Sequence, residues 1–129
     1  TNFAKEMIRL NQITITCVPP FIQEAGIKAI ELKERISKKM REIYKKRADL
    51  AIKLLSKTKL KFSKPDAPFY LFCKCFTDSE KLAFELLEKG IAITPGSAFG
   101  DYKDCFRIAL TLPEQEMKKG LEALANFFA

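Results

Sequence analysis

The chain has 129 residues, 47% of them hydrophobic and 11 of them phenylalanine, which is enough apolar material for one compact domain with a real core. No apolar run approaches the ~18 residues of a membrane span, so a soluble globular domain without membrane attachment is expected. The net charge of +7 leaves an acidic partner open, whereas the absence of any histidine excludes the usual mixed zinc sites and every Ser-His or Cys-His nucleophile scheme within this chain.

Residues 2–11 carry Phe3, Met7 and Leu10 at helical spacing and predict a short amphipathic helix. Gln12 to Pro20 is β-branched and ends in two prolines, so it is expected to be extended and to finish in a turn. From Phe21 to Lys57 there is no proline, and Ile36, Met40, Ile43, Tyr44, Ala48, Ala51, Leu54 and Leu55 fall on one stripe. One rod of that length, at ~1.5 Å per residue, outruns a compact domain of this size, so a break is expected near Glu31 to Glu34. That divides the chain into a leading segment, 1–32, and a domain, 33–129, headed by a long helix.

Lys59 to Ser63 alternates and predicts an edge strand guarded by lysines. Phe69 to Phe76 is apolar on both faces and predicts a central strand covered on both sides. Thr77 with Glu80, and Thr111 with Glu114, have capping-box spacing ahead of amphipathic helices; the first should end at Gly90 and the second carries Met117, Leu121, Leu124 and Phe128. Between those helices, Ile91 to Thr94 and Cys105 to Leu110 predict two strands around a Pro95-Gly96 turn and a loop with Ser97, Gly100, Asp101 and Asp104. The fold class is therefore α+β, with helices packed on a small, mostly antiparallel sheet.

Charge is uneven along the chain. Residues 28–64 hold 14 Lys or Arg against 4 Asp or Glu, a possible footprint for nucleic acid, yet only Tyr44 and Phe62 are aromatic there and no recognition motif appears. The solvated face of a long helix explains the excess better. Cys17, Cys73, Cys75 and Cys105 lack C-x-x-C spacing and read as small buried hydrophobes in a reducing cytoplasm, with no metal site expected.

Arg107 is the residue that does not belong to a core. With a period of two it shares a strand face with Cys105 and Ala109 while Phe106, Ile108 and Leu110 point the other way. Burying an unpaired guanidinium is costly and arginine does not shed its proton, so a carboxylate must meet it. Either Asp101 or Asp104 supplies that carboxylate, or a ligand does.

Together these stretches resemble a known family. LLEKGIAITPGSAFG (Leu86 to Gly100) followed by CFRIAL (Cys105 to Leu110) is similar to the small C-terminal domain of fold-type I pyridoxal-phosphate (PLP) aminotransferases of the aspartate and aromatic class. NQITITCVPPFIQ (Asn11 to Gln23), KKRADLAIKLL (Lys45 to Leu55) and KPDAPFYLF (Lys64 to Phe72) extend the resemblance over nearly the whole chain, although Ala67 and Pro68 replace the family's Gly-Ala. The resemblance implies that Arg107 clamps the substrate's α-carboxylate and that Thr16 lies near a partner subunit's active site in a homodimer. It further implies a cytoplasmic enzyme moving an amino group between an aspartate-like or aromatic amino acid and a 2-oxo acid. The lysine that anchors PLP, and most other residues that hold it, would lie upstream, leaving no catalytic residue in this chain and the chain alone inactive. Two other readings stay open: an aminotransferase-like ligand-sensing domain of a transcriptional regulator, which would keep Arg107, and a basic nucleic-acid-binding module acting through residues 28–64.

Overall fold

The computed structural model describes residues 2–15, 17–66 and 69–129. They fall into two compact units, 1–39 and 40–129. The first begins with α1 (Asn2–Thr14) and α2 (Pro20–Glu31), neither of which buries a residue. The helical stripe of α1 is therefore real in spacing and exposed in fact, with Phe3, Met7 and Leu10 all open to solvent. The extended stretch expected over Gln12 to Pro20 is corrected: among the described residues no strand forms there, Gln12 to Thr14 staying helical and Pro20 already opening α2. The Thr14 hydroxyl donates to the Leu10 carbonyl at 2.9 Å, the back-bond to the preceding turn that a threonine at a helix end can make. Pro20 sits in the first turn of α2, where its missing N–H would have had no helical partner.

The expected break is present. Leu32 separates α2 from α3 (Lys33–Leu55), its N–H donating back to the Lys28 carbonyl at 3.1 Å before the helix restarts. The C-terminal half of α3, which belongs to the second unit, buries Ala48, Ala51 and Leu55.

In that second unit β1 (Lys61–Phe62), β2 (Tyr70–Lys74), β3 (Thr94–Pro95) and β4 (Cys105–Ala109) form an antiparallel sheet in the order β1-β2-β4-β3, with α4 (Ser79–Glu88) between β2 and β3 and α5 (Glu114–Phe127) after β4. The core gathers on one face of the sheet. Leu71 and Cys73 from β2 and Phe106 from β4, followed by Leu110, pack with Leu55, with Leu82 and Leu86 of α4, and with Met117, Leu121 and Leu124 of α5. Burying a side chain such as Phe106, here fully enclosed and stacked 6.0 Å from Phe128, is worth roughly 1.5–3 kcal/mol. Burial also pushes the Cys73 thiol up to about 12, so this cysteine is an inert hydrophobe.

Four local expectations are corrected. β2 is buried on one face only: Leu71 and Cys73 are buried, while Tyr70, Phe72 and Lys74 on the other face are exposed. The cap of α4 is Asp78 rather than Thr77, its carboxylate accepting from the Glu80 and Lys81 N–H groups at 3.0 and 3.1 Å. α5 starts after Pro113 with no side-chain cap, so the Thr111–Glu114 box does not form. The strand expected from Ile91 shrinks to Thr94–Pro95, because the Ile91 N–H is already given to the Leu86 carbonyl at the end of α4, where Gly90 takes a φ of 77°. Ile91 and Ile93 still pack against the core.

Candidate functional site

The open face of the sheet is where the chemistry-bearing side chains collect. In the ladder Phe72 of β2 and Thr94 of β3 sit opposite Arg107 of β4, one on each side. After β3 the chain enters a 3₁₀ turn (Gly96–Phe99) that carries Phe99 back over β4. That turn needs glycine at its first position: a Cβ on Gly96 would collide with the Tyr102 carbonyl oxygen and lie 2.6 Å from that of Cys105. Ser97 ties the turn to α4, its hydroxyl donating to Glu80 Oε1 at 2.7 Å.

Arg107 is half-buried in this arrangement and is flanked by rings. Its Cζ lies 4.1 Å from the centroid of the Tyr70 ring and 4.6 Å from that of Phe99. Both are well inside the ~6 Å range of cation–π attraction. Its Nε is buried and has no hydrogen-bond partner among the described residues. The four ion pairs formed among those residues do not include Arg107. Of the two acids that the sequence offers as internal partners, Asp104 is taken by Lys74 at 2.7 Å and Asp101 is in none of the four pairs. A half-enclosed guanidinium with no acid partner among the described residues has the chemistry to receive a planar anion such as a carboxylate.

The Lys74–Asp104 pair holds the end of the ladder where β2 turns toward α4. The hydrogen bond from Lys74 keeps the Asp104 carboxyl below its ordinary value of 3.8, and the same bond pushes Lys74 up. Because the folded carboxyl is depressed, its contribution to stability is present above 3.8 and fades as pH falls through its folded value. Asp104→Asn should therefore lower the melting temperature at neutral pH by a small amount, as befits a solvent-screened pair, and wild type and variant should converge in strong acid. Melting curves of both proteins across the acid range check this. A shallow depression beside the pair, lined by Lys74, Phe76, Thr77, Asp78, Lys103 and Asp104, does not reach Arg107.

The two site residues singled out from sequence fare differently. Arg107 lies at the centre of the open face, whereas Thr16 lies outside the described residues. Tyr70, Phe99, Phe72 and Tyr102 were not singled out at all. For Tyr70 and Phe72 the signal is the alternation of β2, which puts them on the face away from Leu71 and Cys73, and thus on the face of Arg107.

Comparison with known proteins agrees with this reading of the fold. Residues 2–124 match the family Aminotransferase class I and II. An aspartate aminotransferase of Thermococcus kodakarensis is 40% identical over 121 residues, covering 94% of this chain and 31% of that protein. An LL-diaminopimelate aminotransferase of Aquifex aeolicus is 35% identical over 109 residues, which is 81% of this chain and 28% of that protein. Among solved structures, an aromatic aminotransferase from Pyrococcus horikoshii superposes with a TM-score of 0.82 at 28% identity, covering 95% of this chain and 35% of that one. The chain thus spans about a third of the length of the relatives it matches. With nearly all of its residues matched in sequence and the same fold in solved enzymes, the chain belongs to the class I and II aminotransferases.

Proposed function

We propose that residues 33–129 are the C-terminal small domain, and residues 1–32 the segment at the large-domain boundary, of a PLP-dependent aminotransferase in which Arg107 holds the α-carboxylate of the amino acid and of the 2-oxo acid. The observation that carries this is the half-buried guanidinium on the open sheet face, which forms no ion pair with an acid of the described residues. The relatives' names fit a receptor for the common part of their substrates. Aspartate, LL-diaminopimelate and aromatic amino acids differ in side chain and share the α-carboxylate, and one structural neighbour, an aspartate aminotransferase from Thermus thermophilus, was solved with the dicarboxylate maleate. Aspartate or an aromatic amino acid is the donor we favour, in a cytoplasmic homodimer.

The residues around Arg107 do not fit PLP itself. The lysine on the same sheet face, Lys74, is tied to Asp104 at 2.7 Å, and a protonated, paired amine is no nucleophile. The cofactor supplies the electron sink of the reaction and is assigned to the part of the enzyme that this chain does not span. What this chain contributes is orientation. A fork of two N–H donors fixes the plane of a carboxylate, and with it the direction of the neighbouring Cα–H bond. The flanking rings keep water from one side of the pair and so strengthen it.

No observation favours the regulator or the nucleic-acid module over this reading, and the relatives named above are enzymes. The test is made on the full-length protein and on this chain alone. The full-length protein with PLP should transfer the amino group of L-aspartate or an aromatic amino acid to a 2-oxo acid, while this chain with PLP should give no stoichiometric visible band. A full-length protein that binds PLP and transfers no amino group from any amino acid, or a stoichiometric band in this chain abolished by replacing one lysine, would overturn the proposal.

A further inference from the structure

For an arginine that binds a ligand, a carboxylate behind it is one way to fix its plane. Arg107 has none among the described residues, yet a fork that swings freely about its long side chain gives up much of the entropy advantage of a preformed site. Something else must hold it. Tyr70 comes from β2 and Phe99 from the turn after β3, so the two rings reach the guanidinium from opposite flanks of β4. A cation gripped by ring faces keeps its in-plane N–H groups clear of the rings, and since the Nε of Arg107 is itself buried, the edge left for a carboxylate is that of the two terminal nitrogens.

Each ring is itself braced. Phe99 meets Phe72 edge-on at 6.1 Å, and Phe72 meets Tyr102 edge-on at 5.5 Å. On the other side Tyr70 meets Phe69 edge-on at 4.8 Å, and Phe69 packs 4.9 Å from Tyr44 of α3. The result is one run of aromatic contacts across the open face, interrupted only by the guanidinium. The rings are 40% and 43% exposed for Tyr70 and Phe99, so the run is not part of the core that holds the fold together.

We infer that Tyr70 and Phe99 are positioning residues which set the plane of the Arg107 guanidinium by covering its faces, a role taken elsewhere by an acidic partner. The inference rests on the proposal that Arg107 binds the substrate carboxylate. It is tested in the holoenzyme with maleate as the probe, by measuring its Kd for wild type, Phe99→Leu, Phe99→Tyr and Arg107→Lys, with thermal melting as a check on folding. Phe99→Leu should weaken maleate binding by about 3- to 30-fold, the range of one partly desolvated cation–π contact, and leave the melting temperature nearly unchanged. Phe99→Tyr, which restores the ring face, should return Kd to within about 2-fold of wild type, a rescue that mere loss of packing would not require. Tyr70→Leu should behave as Phe99→Leu does. If Arg107→Lys abolishes maleate binding while Phe99→Leu and Tyr70→Leu leave it unchanged, the positioning role is wrong and the carboxylate reading stands. If Arg107→Lys also leaves it unchanged, the carboxylate reading fails and takes this inference with it. A loss in Phe99→Leu that tracks a fall in melting temperature, or that Phe99→Tyr does not repair, likewise overturns it.

Discussion

Arg107→Lys in the holoenzyme should lower kcat/KM by roughly 30- to 4000-fold for every amino acid the enzyme accepts. The substitution keeps the charge and removes the planar fork, so the carboxylate loses one of two parallel hydrogen bonds and the Cα–H bond loses its fixed direction. Breaking a desolvated charged pair costs about 2–5 kcal/mol, which at about 1.4 kcal/mol per decade gives that range. The rings of Tyr70 and Phe99, 4.1 and 4.6 Å from the guanidinium carbon, add to the loss because they match a flat cation better than a compact ammonium. Because all amino acids share the α-carboxylate, the penalty should be uniform among them and much smaller for an amine that lacks it. Steady-state kinetics with two or more amino acids and one such amine check this. A variant that melts earlier and keeps kcat/KM within a few-fold of wild type would mean that Arg107 only holds the loop.

Gly96→Ala should be the most damaging single methyl in the second unit. The added carbon meets two backbone carbonyls, of Tyr102 and Cys105, and neither can swing aside as a side-chain tip could. The Tyr102 carbonyl is moreover held by the Cys105 N–H at 3.0 Å. Overpacking against fixed atoms costs typically 1–3 kcal/mol, and about 3 kcal/mol is expected here because the obstacle is main chain. The consequence reaches function, because relief of the clash must move the turn that carries Phe99. Gly120→Ala is the matched control. Gly120 lies within α5 with nothing inside 4 Å of its added carbon, so this variant should gain about 1 kcal/mol from helix propensity. Urea unfolding of the two holoenzyme variants, with maleate binding measured alongside, separates the outcomes: Gly96→Ala should lose both stability and affinity, and Gly120→Ala neither.

Much of this was written in the sequence, for reasons that differ by element. The α2–α3 break was legible because a single rod would have outrun the domain, and length is a constraint that local propensity cannot override. Helices α4 and α5 and the central strands followed from apolar period, and Arg107 from being a charge out of phase with Phe106, Ile108 and Leu110. The caps failed because Asp78 and Thr77 both have side-chain acceptors, and only the backbone path decides which one the helix uses. That path includes Phe76 at a φ of 58°, a conformation nothing in FYLFCKCF announces. Coverage of β2 on both faces failed for a different cause. An apolar strand predicts that its faces are of use, and here Tyr70 lies against a cation and Phe72 braces Phe99 rather than meeting a helix. The pairing of Arg107 was open in the sequence because Asp101 and Asp104 are near in number. In the fold Asp104 pairs with Lys74, the cross-strand partner of its chain neighbour Cys105, and is drawn away.

The account turns on what meets Arg107, and a crystal structure of the holoenzyme with maleate bound would answer that directly. A carboxylate of maleate should accept hydrogen bonds of about 2.8 Å from the Arg107 guanidinium, with the rings of Tyr70 and Phe99 still at its faces. A carboxylate of the enzyme itself paired with Arg107 in that structure, with maleate bound elsewhere or not at all, would contradict the account.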